Sequence, residues 1–213
     1  MSAFYISPKF QQHLTSIKIM FSKLSRAMIQ IAIRNNIITE QEQELYEYSY
    51  ETMFARIIGV FTLVAIGFLF NCAFGVIAFC FTFTPIRIYA GGFHARGYAG
   101  CYLASVVAFL LIVCVYNVLD VAWVAPLVVV GSMASAIIIF FMSPVADPNK
   151  PLDEKESIQY REKARVIIAV EVLAIVIMVN ITIFNQIIFF MGAAMTMEAI
   201  LLIIPYSRKH SRA

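Results

Sequence analysis

The sequence predicts an all-α, polytopic integral membrane protein of about six transmembrane helices preceded by an N-terminal amphipathic helix. Three observations carry that prediction. Of the 213 residues, 61% are hydrophobic and only 14% charged, which is more apolar surface than one soluble core of this size needs. The apolar residues stand in long continuous runs. Hydrocarbon admits only helices and closed barrels, whose backbone groups are satisfied internally, and a barrel strand would alternate apolar with polar residues. Finally, the 16 Lys and Arg residues cluster at alternate connections between the runs, the asymmetry that orients a multi-spanning chain.

The N-terminal region carries charges throughout residues 1 to 52, and its best apolar stretch, Ala27 to Ile33, is short and interrupted by Gln30. It does not read as a secretory signal. Between Pro8 and Asn35, the residues Ile17, Met20, Phe21, Leu24, Met28 and Ile31 recur at helical spacing, with Lys18, Lys23, Arg26, Gln30 and Arg34 between them. This is a basic amphipathic helix. Such a helix can lie among anionic headgroups or pack its apolar stripe on the rest of the protein, and the pattern fits both equally. Thr39 with Glu42 has the form of a capping box, and Glu40, Glu42 and Glu44 put negative charge at the positive end of the next helix. That helix runs through Tyr46, Tyr48 and Tyr50, aromatics suited to a membrane interface.

Residues 57 to 86 are uncharged. As one helix they would be about 45 Å long against a hydrocarbon core of roughly 30 Å, so two spans with a break at Asn71 fit better. Four further spans follow: Tyr98 to Leu119, Trp123 to Phe141, Val166 to Phe184 and Ile187 to Pro205. Threading six spans from a cytoplasmic N-terminus places every basic residue on the inner side and leaves the turns at Asn71, Asn117 to Ala122 and Asn185 to Gln186 without Lys or Arg. The predicted location is a cell membrane, with both termini cytoplasmic. The whole chain, 1–213, reads as a single membrane domain: a basic amphipathic region (1–38), two spans (39–89), a candidate catalytic segment (90–101), the third and fourth spans (102–141), a polar cytoplasmic loop (142–165) and two last spans with a basic tail (166–213).

Chemistry concentrates in RIYAGGFHARGYAGC, Arg87 to Cys101, at the inner interface. Gly91, Gly92, Gly97 and Gly100 permit backbone shapes denied to other residues. His94 and Cys101 are a base and a nucleophile of the kind paired in thiol catalysis: imidazole takes the thiol proton, and a helix N-terminus favours the resulting negative charge. Seven positions on one straight helix are separated by about 10.5 Å along its axis, too far for a hydrogen bond. His94 must therefore sit in a turn that folds back toward the start of the third span. A structural His and a structural Cys are the plain alternative. Metal ligation finds no second His or Cys at ligand spacing, HExxH is absent, and Cys72, Cys80 and Cys114 form no disulfide framework. No metal, cofactor or nucleic acid is implied.

This stretch resembles the signature of the accessory gene regulator B (AgrB) family, membrane endopeptidases that process the precursor of a cyclic quorum-sensing peptide. The resemblance covers Arg87, Gly91 and Gly92, His94 with Ala95, Cys101 and Ser105. PVADPNKPLDEKE, Pro144 to Glu156, is similar to that family's loop after the fourth span, and YEYSYE, Tyr46 to Glu51, to its segment before the first. The resemblance implies a cysteine peptidase in which Cys101 attacks a peptide carbonyl, His94 moves the proton, and a Cys or Ser of the precursor resolves the thioester into a thiolactone or lactone. It further implies an AgrD-like peptide precursor as substrate, a homodimer, contact with membrane lipid, and precursor-binding roles for Arg87, Gly91, Gly92, Ser105 and Lys150. For Arg87 the competing role is snorkelling to lipid, and for Lys150 it is that of a solvated loop residue.

Glu171 and Glu198 lie inside the fifth and sixth spans, where carboxylates need partners. Either can orient His94, pair with Arg87, or line a water-filled crevice. A small transporter or channel built on these two acids is the main rival to the peptidase, and a non-catalytic scaffold is the third reading.

Overall fold

A computed structural model of the chain describes residues 25–35, 37–39, 43–93, 98–145 and 152–210. These residues are helical almost throughout: α1 (residues 25–34), α2 (Gln43–Leu69), α3 (Ala73–Ala90), α4 (Tyr98–Val118), α5 (Val121–Met142), α6 (Glu154–Met178) and α7 (Asn185–His210), with a 3-10 turn at Thr182–Phe184 before α7. Among the described residues there is no strand, and one isolated parallel bridge joins Gly91 to Val145. The chain divides into two compact units. One holds the described residues up to Phe61 together with 98–103, and the other holds residues from Thr62 to Phe93 and from Ala104 onward.

In the first unit, α1 packs on the start of α2. Ile29, Ala32 and Ile38 are buried against Ile33, Tyr46 and Tyr50, and Arg26 Nε donates to Glu47 Oε1 at 2.7 Å. The buried stripe is Ser25, Ile29 and Ala32, whereas the expected face, Met28 and Ile31, is exposed. Both stripes of α1 are apolar, so helical spacing alone could not say which one α2 covers. The expected helical residues before Ser25, and Glu42 of the expected capping box, lie outside the described residues.

The second unit begins with the break at Asn71. Cys72 N donates to Gly67 O (2.8 Å) and Asn71 N to Phe68 O (3.4 Å), with Asn71 at φ +55°. This is a Schellman ending, with asparagine in the left-handed position that a helix stop requires. Gln186, at the start of α7, seals the turn: its Nε2 donates to Asn71 O (3.2 Å) and its Oε1 accepts from Gly75 N (3.3 Å). One of the amides that the new helix α3 leaves unmatched is thereby satisfied.

Helix α7 is the centre of this unit. Ile188, Phe190, Ala194, Met195, Glu198, Ala199 and Leu202 are all buried, with α3 and α5 packed along it and α6 against α3 and α5. Helix α4 joins through aromatic rings: Phe109 meets Phe79 (5.3 Å, edge to face) and Phe190 (5.9 Å), and Tyr116 meets Phe189 (5.2 Å). The outer surface of the unit is apolar where a soluble protein's would be polar, and its core admits a few polar residues. Thr82, Ser132, Ser135, Glu171 and Glu198 are buried, while Phe81 and Phe141 are 75% and 76% exposed. An outer surface of this kind is matched by lipid and would be costly in water. The protein is a membrane protein.

Four helices are long and apolar enough to cross a bilayer: Ala73–Ala90, Gly100–Val118, Val121–Met142 and Thr182–Ile204. The expected count of six is not met on that measure, for a physical reason in each missing case. The apolar part of α2, Arg56–Leu69, is shorter. Helix α6 starts in charged sequence at Glu154 and stops at Met178 rather than at Phe184, leaving residues 166–178, roughly 20 Å of apolar helix. The polar segment before it, expected to be loop as far as Arg165, is helical from Glu154. A capping box sets that start: Asp153 Oδ1 accepts from Glu156 N (2.6 Å) and Glu156 Oε2 from Asp153 N (3.4 Å).

Close packing of α3 on α7 leads to a prediction. A Cβ on Gly75 would lie 2.4 Å from Phe190 Cδ2, whereas one on Gly59 meets nothing within 4 Å. Gly75→Ala should lower stability by about 1–3 kcal/mol, as overpacking does. Gly59→Ala, at an open helical position, should not. Unfolding in mixed detergent micelles checks both.

Candidate functional site

Helix α3 ends at Ala90 because the next two residues take conformations that only glycine holds easily: Gly91 at φ +75°, ψ −137°, and Gly92 at φ +109°. Their neighbours close in on the space a side chain would need. A Cβ on Gly91 would sit 2.1 Å from Val145 O, and one on Gly92 would sit 2.6 Å from Arg87 Nη1 and 3.0 Å from Leu201 O. The bend is held from two sides by backbone hydrogen bonds. Val145 N donates to Ala90 O (2.8 Å) and Gly92 N to Val145 O (3.3 Å), while Phe93 N donates to Leu201 O of α7 (2.9 Å).

Arg87 ties these pieces together. It lies one turn before the end of α3, so its side chain reaches past the end of its own helix, where positive charge is favoured. Nη1 donates to Gly91 O and Nη2 to Phe93 O. Nη1 also faces Glu198 Oε1 of α7 at 3.4 Å, with side-chain exposures of 16% for Arg87 and 0% for Glu198. A buried carboxylate is tolerated when an opposite charge and hydrogen bonds accompany it, and Arg87 supplies both. The other oxygen, Glu198 Oε2, has no hydrogen-bond partner among the described residues.

The structure therefore brings together four residues singled out from the sequence, Arg87, Gly91, Gly92 and Glu198, and of the two intramembrane acids it is Glu198 that pairs with Arg87. Cys101 lies in the first turn of α4 and Ser105 one turn further along that helix, both half-buried. All four cysteines are thiols. His94 and Lys150 lie outside the described residues. Helix α3 does not continue through to α4, since Gly91 to Phe93 are not helical. A single straight helix from Arg87 to Cys101 is thereby excluded. Glu171, buried on α6, keeps one oxygen without a partner among the described residues.

Sequence reasoning missed Val145 and Leu201, which act through backbone atoms that leave no side-chain signature. Pro144 was the available signal for Val145, since proline bars α5 from continuing and forces an extended segment there. Glu198 was seen as one of two intramembrane acids, but its pairing spans 111 residues of chain, and no local pattern selects it over Glu171.

The two stretches that meet at this bend, Arg87 to Phe93 and the loop opening at Pro144, fall inside one longer match. The Accessory gene regulator B family model matches residues 24–203. The chain belongs to the AgrB family. An AgrB-like protein of Clostridium perfringens strain SM101 is 22% identical over 151 residues, covering 66% of this chain and 71% of the relative. The AgrB-like protein 2 of Clostridium perfringens strain 13 is 23% identical over 150 residues, covering 66% and 70%. No solved structure matches. Membership of the AgrB family implies a part in accessory-gene-regulator quorum sensing, in a family known for peptide processing. Within the match, the Arg87 clasp joins the end of α3 to α7, and backbone hydrogen bonds join the same bend to the loop after α5.

If the bend is held as described, a methyl group at Gly91 must displace Val145. Gly91→Ala should loosen the bend, and amide hydrogen exchange in the peptide covering residues 88–93 should speed up by about tenfold or more, equivalent to about 1.4 kcal/mol or more of lost protection. Exchange mass spectrometry in lipid nanodiscs checks this, with peptides of α5 as the internal reference.

Proposed function

We propose that this protein is a membrane cysteine endopeptidase that cleaves a signalling-peptide precursor and cyclises the part retained on the enzyme as a thioester. The observation that carries the reading is the glycine bend that stops α3 at Ala90 and leads directly into His94, with Cys101 following in the first turn of the next helix. Family membership supports peptide processing, and the break of the helix at Gly91 is compatible with the turn that thiol–imidazole chemistry requires of this segment.

The reaction runs in two balanced steps. Cys101 Sγ attacks the scissile carbonyl while His94 takes the thiol proton. The C–N bond then breaks, the amine leaves with that proton, and the precursor's N-terminal part remains as a thioester on Cys101. A Cys thiol or Ser hydroxyl of the bound precursor next attacks the thioester carbonyl. Its proton returns through His94 to the Cys101 sulfur, which leaves as the thiol, and the product is a thiolactone or lactone ring. Hydrolysis would yield a linear peptide, so water must be kept from the thioester. Gly91 and Gly92 leave the backbone at the bend without side chains, Ser105 follows Cys101 by one helical turn, and Lys150 offers positive charge to an acidic precursor segment.

In the proposed arrangement the chain crosses the membrane six times, α2 and α6 included. Each of these helices extends beyond its apolar stretch into a charged end that reaches the headgroups by snorkelling. All 16 basic residues then face the cytoplasm, together with both termini and the reaction site. The transport reading relied on two intramembrane acids. Arg87 accounts for Glu198, which leaves that reading to Glu171 alone.

Co-expression with a short precursor and mass spectrometry of the products tests the reaction. Wild type should yield the cyclic peptide, with a precursor adduct on Cys101 trapped at early times. Cys101→Ala and His94→Ala should each lose processing by at least roughly a hundredfold, and Glu171→Gln should retain it. Undiminished processing by Cys101→Ala, or its loss in Glu171→Gln alone, overturns the reading.

A further inference from the structure

We propose that Glu198 is a positioning residue for this reaction: by holding the Arg87 guanidinium from α7, it fixes the Gly91–Phe93 bend from which the chain runs on to His94. The inference rests on the cysteine-peptidase reading and deepens it.

The first support is where the carboxylate stands. Glu198 is fully buried on the most enclosed helix of the unit, within an apolar stretch long enough to cross a bilayer. An apolar side chain would pack there without the cost of removing a charge from water, and stability alone does not favour a buried ion pair over one. The pair does something packing cannot do, which is to fix an orientation. Arg87 offers a rigid planar fork of donors, and the carboxylate at 3.4 Å from Nη1 sets the rotation of that fork. Nη1 and Nη2 then meet Gly91 O and Phe93 O.

The second support is convergence on one stretch of α7. Leu201 lies three residues after Glu198, on the same side of the helix, and its carbonyl accepts from Phe93 N at 2.9 Å. Helix α7 thus holds the bend twice, through the backbone at Phe93 and through Glu198 by way of Arg87. Removing the carboxylate leaves Phe93 N on Leu201 but frees the guanidinium, so the Gly91–Phe93 bend gains freedom while α7 keeps its place. Displacing a catalytic group by about 1 Å can cost roughly a hundredfold in rate. Glu198 touches neither precursor nor sulfur in this scheme, so precursor affinity should be nearly unaffected.

The experiment uses the full chain reconstituted in lipid vesicles, with a purified precursor peptide and product quantified by mass spectrometry to give kcat and KM. For Glu198→Gln the expected result is a kcat roughly tenfold to a hundredfold below wild type, with KM within about threefold. Glu198→Asp keeps the charge and should recover part of the loss. Glu171→Gln, at a second buried acid outside the clasp, should behave as wild type. If Glu198→Gln does not fold, the paired replacement Arg87→Met with Glu198→Met substitutes an apolar contact for the ion pair, and its kcat should be low. A wild-type kcat for Glu198→Gln or for the paired variant, with Cys101→Ala inactive, overturns the positioning role and leaves the peptidase reading standing. Processing by Cys101→Ala at the wild-type rate overturns the peptidase reading itself.

Discussion

Where α3 ends inside a membrane protein, its last carbonyls need donors and its chain needs to turn. Backbone amides meet the first need, Gly91 N at Arg87 O and Val145 N at Ala90 O, and the guanidinium of Arg87 braces the turn. It donates to Gly91 O and Phe93 O beyond the end of the helix, and its charge is balanced by a carboxylate from α7. The position is demanding. One turn earlier the side chain would not reach past Gly91, and a lysine would offer a point charge where three acceptors must be met in a plane. The bend is braced by this side chain and docked through backbone hydrogen bonds to Val145 and Leu201. For that reason glycine is required at 91 and 92: the groups that hold the turn occupy the space where side chains would be.

The rest of the second unit serves to keep these partners in place. Helix α7 can deliver both Glu198 and Leu201 to the bend because it is clamped along its length. Phe190 sits on Gly75, Gln186 grips the α2–α3 turn, and Ser135 meets Thr196 at 3.3 Å. Small polar residues are affordable inside because the helices face lipid outside, where apolar bulk is free to lie. The loop after α5 joins the same centre, since Val145 follows directly on the end of α5 at Ser143 and bonds both Ala90 and Gly92. Two stretches separated by more than fifty residues of sequence thus form one structural feature, and the family match runs through both.

Much of this was legible in the residues. The stop at Asn71 followed from a run too long for one span, and the structure supplies its mechanism in the left-handed asparagine. The turn after Ala90 followed from paired glycines. Other features were hidden for definite reasons. The start of α6 at Glu154 was masked by its charges, although Asp153 and Glu156 stand at the spacing of a capping box. On α1 both the 28/31 and the 29/32 stripes are apolar, and only the partner helix decides between them. The Arg87–Glu198 pair joins positions remote in sequence, and the Gly91–Val145 bridge is made of backbone alone. Local pattern reaches neither.

The account thus joins a structural clasp to a proposed chemistry, and the clasp is the part on which the chemistry relies. Its most direct test is a double-mutant cycle in unfolding free energy, with Arg87→Gln, Glu198→Gln and the double variant measured in the same detergent. Each single change leaves a buried group without its counterpart, so the account predicts a coupling of about 1–3 kcal/mol between the two sites. Additive losses, with a coupling below about 0.5 kcal/mol, would mean that the two side chains do not act as one unit, and would contradict it.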